Sequence, residues 1–318
     1  MPAEVHLIVP FAAWPVEPAT GAPSATPTPD APRLAGLLSR LGAPQDQAGD
    51  MHALSMPHEQ AWAQALGLAV ADGTVPLAAW EALQRGLPGH EAGWAWITLT
   101  HWRMGTDHAR LSLPQEVPVE EAESRALLAA MTPYFHEDGL ALHYVAPQRW
   151  LAHGPQFRDL ATASLDRAAG RVLTPWMPDG DAARPLRRLQ QEMQMLLYTL
   201  PLNEERQRRG QLPVNSFWAS GTGTLPPDAA SRTAPEVVEA LREPALAGDA
   251  QAWAAGWQAI ERDTLPALEQ ALAAGTPLRV TLCGERTART WASRQAGGLR
   301  RLRALFGAPP LAKLVEGL

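Results

Sequence analysis

Polar residues and glycines are concentrated between residues 215 and 223, in the segment NSFWASGTG. An apolar run followed by a Gly-rich turn is a pattern with which an α/β sheet presents amides and side chains to a ligand. The segment therefore predicts a ligand-binding site. Its candidate residues are Asn215, Ser216, Trp218, Ser220, Gly221, Thr222 and Gly223. The alternative interpretation, equally favoured, is a glycine turn after a buried strand, with Asn215 satisfying backbone groups.

Two arginines are further candidates for binding an anionic ligand. Arg149 directly precedes Trp150, and a guanidinium group beside an aromatic face is suited to holding a carboxylate or a phosphate. An interior ion pair with an aspartate is the alternative for Arg149, and it is slightly favoured. Arg206 is expected near the same ligand, or paired with Glu192 so that a helix is fixed against the Asn215 segment.

One histidine-containing turn is the remaining candidate for metal binding or acid–base chemistry. His101, Asp107 and His108 flank the turn of a predicted hairpin, where residues of neighbouring strands face each other. The favoured alternative is a surface turn that contains Asp for backbone reasons. On these residues alone, no metal cofactor is favoured.

The hydrophobic pattern predicts a mixed α/β fold. Apolar runs at residues 5–11 and 278–283 indicate strands. Strand pairs interrupted by a helix indicate a mixed or antiparallel subdomain, and helices that alternate with strands elsewhere indicate a three-layer architecture. Helices are predicted at residues 57–68, 76–85, 119–131, 185–200 and 264–274, and after the capping residue Asp249.

The same pattern divides the chain into three parts, which can also form one continuous domain. Residues 1–92 combine an N-terminal strand, a mobile Pro-rich loop and helices. Residues 93–155 form the strand-rich subdomain. Residues 156–318 form an α/β part that contains the NSFWASGTG segment.

The formal net charge of −6 argues against general affinity for nucleic acid. Basic residues nevertheless cluster at Arg294–Arg303, where a solvated helix face is favoured over a nucleic-acid contact. No apolar run approaches the length of a membrane span, and the N-terminus lacks the basic region of a signal peptide. We therefore expect a cytoplasmic protein without membrane association.

The cysteine and tryptophan residues lead to two further expectations. The single cysteine, Cys283, ends an apolar run, so burial is expected rather than reactivity. The chain also contains 12 Trp against 5 Phe and 3 Tyr. Because each buried indole N–H needs an acceptor, polar groups are expected beside the core.

Five segments resemble one bacterial protein family. They are TLTHWRMGTDHARL, RWLAHG, DLATASLDRAAGR, RRLQQEMQMLLYTLPLNEERQRRG and PVNSFWASGTG, which span residues 95–225. The family is labelled either RpfE-type regulatory protein or cofactor-independent phosphoglycerate mutase-like protein. The pattern Asn-x-x-Trp-x-x-Gly-x-Gly, formed by Asn215, Trp218, Gly221 and Gly223, is similar to a stretch of the archaeal-type mutases of the alkaline-phosphatase superfamily.

This resemblance implies a three-layer scaffold similar to that of the alkaline-phosphatase superfamily. Mutases of that superfamily bind two divalent metal ions with Asp and His ligands and use a serine nucleophile. All nine histidines of this chain precede Asn215, whereas the mutase pattern requires ligands after that segment as well. The favoured interpretation is a degenerate relative that has kept the fold without the metal centre.

Two functions follow from these expectations. The first is a cytoplasmic regulatory protein that binds an anionic small molecule or a protein partner and has neither mutase turnover nor a requirement for a divalent metal. The second is an active metal-dependent phosphoglycerate mutase or phosphohydrolase, which would require Mn or Zn. The sequence favours the first function and leaves open the ligand, the partner, the oligomeric state and the regulated pathway.

Overall fold

The computed structural model describes residues 4–15, 27–89, 92–293 and 308–318. The strands are β1 (Val5–Val9), β2 (Gln45–Ala48), β3 (Trp94–Thr100), β4 (Trp102–Met104), β5 (Ala109–Leu111), β6 (Ala141–Ala146), β7 (Arg149–His153), β8 (Ser216–Gly223), β9 (Glu236–Val237), β10 (Leu278–Cys283) and β11 (Thr287–Ala292). The helices are α1 (Pro32–Arg40), α2 (Pro57–Ala65), α3 (Leu77–Gln84), α4 (Glu121–Glu137), α5 (Leu165–Ala168), α6 (Arg184–Tyr198), α7 (Pro201–Arg208), α8 (Arg242–Ala247), α9 (Ala250–Ala259), α10 (Leu265–Ala273) and α11 (Leu311–Leu314). The mixed α/β class predicted from the sequence is confirmed.

The chain divides into two compact units. The first contains residues 1–51, 56–68 and 233–318, and the second contains residues 52–55 and 69–232. The boundaries predicted at residues 92 and 155 do not coincide with this division. Strand β1 pairs in parallel with β10, which places both ends of the chain in the first unit, whereas β8 pairs with β3 in the second.

The first unit is built on a five-stranded mixed sheet of order β2-β11-β10-β1-β9. Strand β1 is parallel to β10 and β9, and β11 is antiparallel to β10 and β2. Helices α2 and α10 pack against this sheet. Cys283 ends β10 and is completely buried. Burial raises the pKa of its thiol far above the usual range, so the expectation of an unreactive core cysteine is supported.

The second unit is built on a four-stranded antiparallel sheet of order β6-β7-β3-β8. The antiparallel subdomain predicted from the sequence is therefore confirmed. On one face, Ile97, Trp150 and Phe217 pack in a hydrophobic core with residues of α4 and α6. Helices α3 and α5 contact strands of the same sheet. Because neighbouring strand residues alternate between faces, Trp96 and Arg149 lie on the face opposite to α4 and α6.

Several buried tryptophan side chains use backbone or side-chain acceptors, as expected, whereas the indole nitrogens of Trp102 and Trp257 have no partner among the described residues. The indole nitrogen of Trp150 donates to Ser124 Oγ at 2.9 Å. The indole nitrogen of Trp253 donates to the carbonyl oxygen of Phe11 at 2.9 Å. Hydrogen bonds of this kind allow large aromatic groups to be buried without leaving a polar atom unsatisfied.

Two sequence-based expectations fall largely or wholly outside the described residues. They are the Pro-rich loop, of which residues 16–26 are not described, and the basic segment Arg294–Arg303. Within the described ranges, the helices are all too short or too polar to cross a lipid bilayer.

Candidate functional site

The NSFWASGTG segment is a strand from its second residue to its last. The prediction of a Gly-rich loop after a strand is therefore wrong. Strand β8 extends through Gly221 to Gly223. Its pairing with β3 shifts between Trp94 and Trp96, where two residues of β8 lie opposite one residue of β3. Gly221 has a φ of 64° at this point, which is typical of a G1 β-bulge. The glycines therefore have a structural role in the pairing of β8 with β3.

Asn215 extends the strand pairing by means of its side chain. Its Oδ1 accepts from the backbone N–H of Trp102 at 2.7 Å, and its Nδ2 donates to the carbonyl oxygen of Trp102 at 3.0 Å. Its own backbone N–H donates to the carbonyl oxygen of Thr100. The side-chain amide thus satisfies main-chain groups at the start of β4, directly after β3. This agrees with the alternative interpretation, in which Asn215 satisfies backbone groups.

Replacing Asn215 by alanine is expected to lower the free energy of unfolding by about 1–2 kcal/mol, because two main-chain groups of Trp102 lose their partners. Urea-induced unfolding measures the change. Asn215→Asp is the comparison variant, since it keeps the acceptor for the Trp102 N–H but replaces the donor by a negatively charged oxygen that faces the Trp102 carbonyl oxygen. An Asn215→Ala protein as stable as the wild type would show that the amide has no structural role.

The other polar side chains of β8 are also directed at protein groups. The indole nitrogen of Trp218 donates to the carbonyl oxygen of Ala163 at 3.0 Å, and Thr222 Oγ1 donates to the carbonyl oxygen of Leu160 at 2.6 Å. The buried hydroxyl residues of the strand are Ser216, Ser220 and Thr222. These contacts stabilise the strand and give no support to a ligand site formed by these side chains.

Arg206 is integrated into the fold. Its side chain is 0% exposed and its Nη1 lies 2.6 Å from Glu123 Oε2. Each of its nitrogens donates to a protein acceptor, the other two to main-chain carbonyl groups. The predicted pairing of Arg206 with Glu192 is wrong, because Glu192 lies beside Arg188. A contact of Arg206 with a ligand gains no support from this arrangement.

The hairpin histidines are not brought together. Strands β4 and β5 form the predicted hairpin, but His101 lies at its base, opposite Ser112, whereas Asp107 and His108 lie in the exposed turn. Three ladder positions at about 3.3 Å each separate the two ends. Nδ1 of His101 instead lies 2.9 Å from the carbonyl oxygen of Pro213. Over the described parts of the chain, no three His, Cys, Asp or Glu side chains converge as a metal site.

Arg149 belongs to a half-exposed cluster on the sheet face opposite to α4 and α6. Its guanidinium carbon lies 5.0 Å from the centroid of the Trp96 ring, and its Nη2 lies 3.5 Å from the carboxylate of Glu81. The Arg149 side chain is 41% exposed. Trp150 points to the opposite face, so the predicted stacking of Arg149 on Trp150 is wrong. The acidic partner is a glutamate rather than the expected aspartate.

The carboxylate of Glu81 is held mainly by two other donors. Its Oε2 accepts from the indole nitrogen of Trp96 at 2.6 Å, and its Oε1 accepts from Arg85 at 2.9 Å. Nε of Arg149 is buried and finds no acceptor among the described residues. The guanidinium groups of Arg149 and Arg85 both lie beside the single carboxylate of Glu81, so the cluster carries an excess positive charge. The cluster therefore offers the exposed part of a guanidinium group and positive charge beside an aromatic ring, which suits an anion.

Sequence reasoning identified Arg149 but missed Trp96 and Glu81. The alternation of the run WAWITLT places Trp96 and Thr98 on one face of the strand, but only the pairing of β3 with β7 brings Trp96 to Arg149. Thr98 pairs with Arg149 across β3 and β7, so Trp96 is the diagonal neighbour of Arg149 on the same face. A Cβ atom on Gly221 would lie 2.9 Å from Trp96 Cε3. The glycine of β8 thus leaves the space that the Trp96 ring occupies.

Comparisons with known proteins give similarity of structure at low sequence identity. No protein-family model and no curated protein matches the chain. The structure of the PH0037 protein from Pyrococcus horikoshii is similar with a TM-score of 0.51 and 13% identity, over 96% of this chain and 93% of that one. The cofactor-independent phosphoglycerate mutase from Thermoplasma acidophilum DSM 1728 gives a TM-score of 0.38 and 15% identity, over 98% of both chains. At such identities, the likeness to the PH0037 protein concerns the fold alone.

Proposed function

We propose that this chain is a cytoplasmic regulatory protein that binds a small anionic ligand at Arg149 and needs no metal cofactor. The observation that supports the proposal is the half-exposed guanidinium of Arg149, stacked on Trp96 and only loosely paired with Glu81 at 3.5 Å. Arg206, by contrast, is fully buried and each of its nitrogens donates to a protein acceptor, so its guanidinium is not available to a ligand.

The chemistry of the cluster favours a carboxylate or a phosphate. A guanidinium stacked on an aromatic ring keeps its N–H groups in its own plane, where they can donate to two oxygen atoms of one anionic group. Arg85 adds a second positive charge through its pairing with Glu81. The proposed RpfE-type and phosphoglycerate mutase-like character, which comes from the sequence resemblance, makes 3-phosphoglycerate the first compound to test.

Binding of 3-phosphoglycerate is expected to depend on Arg149. Arg149→Met keeps an unbranched apolar side chain in place of the arginine stem but removes the charge and the donors. The affinity measured by isothermal titration calorimetry should fall at least about tenfold, which corresponds to one charge-assisted hydrogen bond. Inorganic phosphate, titrated in parallel, shows whether a phosphate group alone is sufficient.

Arg125 provides the matched control, because its guanidinium also lies over an aromatic ring, that of Tyr144, at 4.2 Å. Arg125→Met should bind as the wild type does. Equal affinities of the wild type and the Arg149→Met variant would refute the proposed site. Conversion of 3-phosphoglycerate in the presence of Mn, abolished by a chelator, would instead establish the alternative of a metal-dependent mutase or phosphohydrolase.

A further inference from the structure

Two imidazoles meet on the second unit's sheet, at the edge formed by β6 and β7. Nε2 of His143 lies 3.0 Å from Nδ1 of His153. The ring centroids are 5.2 Å apart, with an angle of 22° between the ring planes. Both side chains are partly exposed, so the pair is accessible from solvent.

The strand pairing explains why these two side chains meet. Ala141 is paired with His153, and His143 is paired with Leu151, so the histidines are diagonal neighbours on one face. Trp94 lies directly opposite His153 on β3. Its ring centroid is 4.7 Å from that of His153 and 5.5 Å from that of His143. The Trp94 ring therefore limits the movement of both imidazole rings.

The separation of the two nitrogens matches that of two ligands of one metal ion. Imidazole nitrogens bound to zinc at about 2.0–2.1 Å lie about 2.9–3.4 Å apart when the ligand angle is between about 90° and 110°. The two nitrogens are hydrogen-bonded to each other, and a bound cation would lie off the line between them, so the two rings must turn while the backbone stays in place.

We propose that His143 and His153 form a two-ligand site for a divalent transition metal ion such as Zn²⁺ or Ni²⁺. Imidazole is a preferred ligand of both ions, and water molecules or an anion would complete the coordination. Metal binding requires neutral imidazoles. Desolvation lowers the pKa of both residues, and for His143 the neighbouring His153 adds to the effect, which favours the neutral form of both rings.

This site is independent of the anion-binding function proposed for Arg149. On β7, His153 lies four residues from Arg149, at the other end of the strand. Neither histidine takes part in the Trp96–Glu81 cluster. A metal bound here can therefore be detected without any knowledge of the anionic ligand.

The test is titration of the full chain, free of any polyhistidine tag, with ZnCl₂ and NiCl₂ in a weakly coordinating buffer. Calorimetry should show an ion bound at this site, and its affinity should fall at least about tenfold in His143→Ala and in His153→Ala. His143→Gln, which keeps a polar group of similar size, should show the same loss. Zn²⁺ should raise the Tm of the wild type more than that of the variants, and EDTA should reverse this rise.

His108→Ala is the control, because His108 is an exposed histidine of the hairpin turn. Its affinity for Zn²⁺ should equal that of the wild type. The proposal is overturned if the wild type binds neither ion at millimolar concentration, or if His143→Ala and His153→Ala bind as the wild type does. It is also overturned if His108→Ala alone loses binding.

Discussion

Replacing Glu123 by alanine is expected to lower the free energy of unfolding by about 3–5 kcal/mol. The carboxylate of Glu123 is 10% exposed and pairs with the fully buried guanidinium of Arg206 as well as with Arg209. Truncation leaves the charge of Arg206 buried with carbonyl partners only. An uncompensated buried charge is among the costliest defects that one substitution creates. Urea-induced unfolding followed by tryptophan fluorescence measures the loss.

Glu121 is the matched control, because it lies in the first turn of the same helix, α4. It pairs with Arg125 at 2.8 Å, but the two side chains are 62% and 57% exposed. Exposed pairs of this kind contribute little, so Glu121→Ala should change the free energy of unfolding by no more than about 0.5 kcal/mol. Similar losses in both variants would contradict a special role of the buried pair.

The stabilisation by Glu123 should also depend on pH. Burial raises the pKa of Glu123, but the backbone N–H of Glu120 and the guanidinium groups of Arg209 and Arg206 outweigh burial and lower it. A depressed folded-state pKa means that the contribution is complete above the unfolded value of about 4.3. It is lost as the pH falls through the folded value. The stability difference between the wild type and Glu123→Ala should therefore shrink in acid.

Local signals in the sequence were sufficient for many of the elements. Asp249 caps α9 as predicted, with its side chain accepting from the backbone N–H of Ala252 at 2.9 Å. Such caps act within one turn of the chain, so they can be recognised without knowledge of the fold. The apolar run LRVTLC likewise predicted β10, because a short run rich in β-branched and apolar residues favours a buried strand.

Long-range pairing accounts for the errors. The parallel register of Val5 with Leu278 is not encoded in the neighbourhood of either residue, so the assignment of both chain ends to one unit was missed. The wrong prediction of a loop at the end of NSFWASGTG also comes from long-range pairing, here of β8 with β3. Glycine marks turns in a sequence, but here it permits a close approach by residues 74–78 and by Trp96.

The candidate site was only half predictable. Arg149 was identified from its chemistry, but its supposed partner Trp150 is the next residue along a strand, and successive strand residues point to opposite faces. That rule alone excludes Trp150 as a stacking partner of Arg149. Trp96 required the register between β3 and β7, and Glu81 required the packing of α3 on this sheet. Neither relation is contained in the composition or in the spacing of residues.

Replacing Gly223 by alanine is expected to lower the free energy of unfolding by about 3 kcal/mol. Gly223 has a φ of 136°, which residues with a Cβ atom rarely adopt. A Cβ atom there would lie 2.9 Å from the backbone oxygen of Thr74 and 3.1 Å from Pro76 Cβ. Backbone strain and overpacking therefore act together. An almost unchanged stability of the variant would contradict both contributions.

Gly210 is a reference for a positive φ without overpacking. Its φ of 72° is also positive, but nothing lies within 4 Å of a Cβ atom built on it. Gly210→Ala should therefore show only the cost of a left-handed backbone, about 1 kcal/mol. Urea-induced unfolding of both variants gives a difference that contains the overpacking and the greater backbone strain at a φ of 136°. Equal losses would mean that β8 moves away from residues 74–76 without penalty, and the glycines of NSFWASGTG would then need another explanation than close packing.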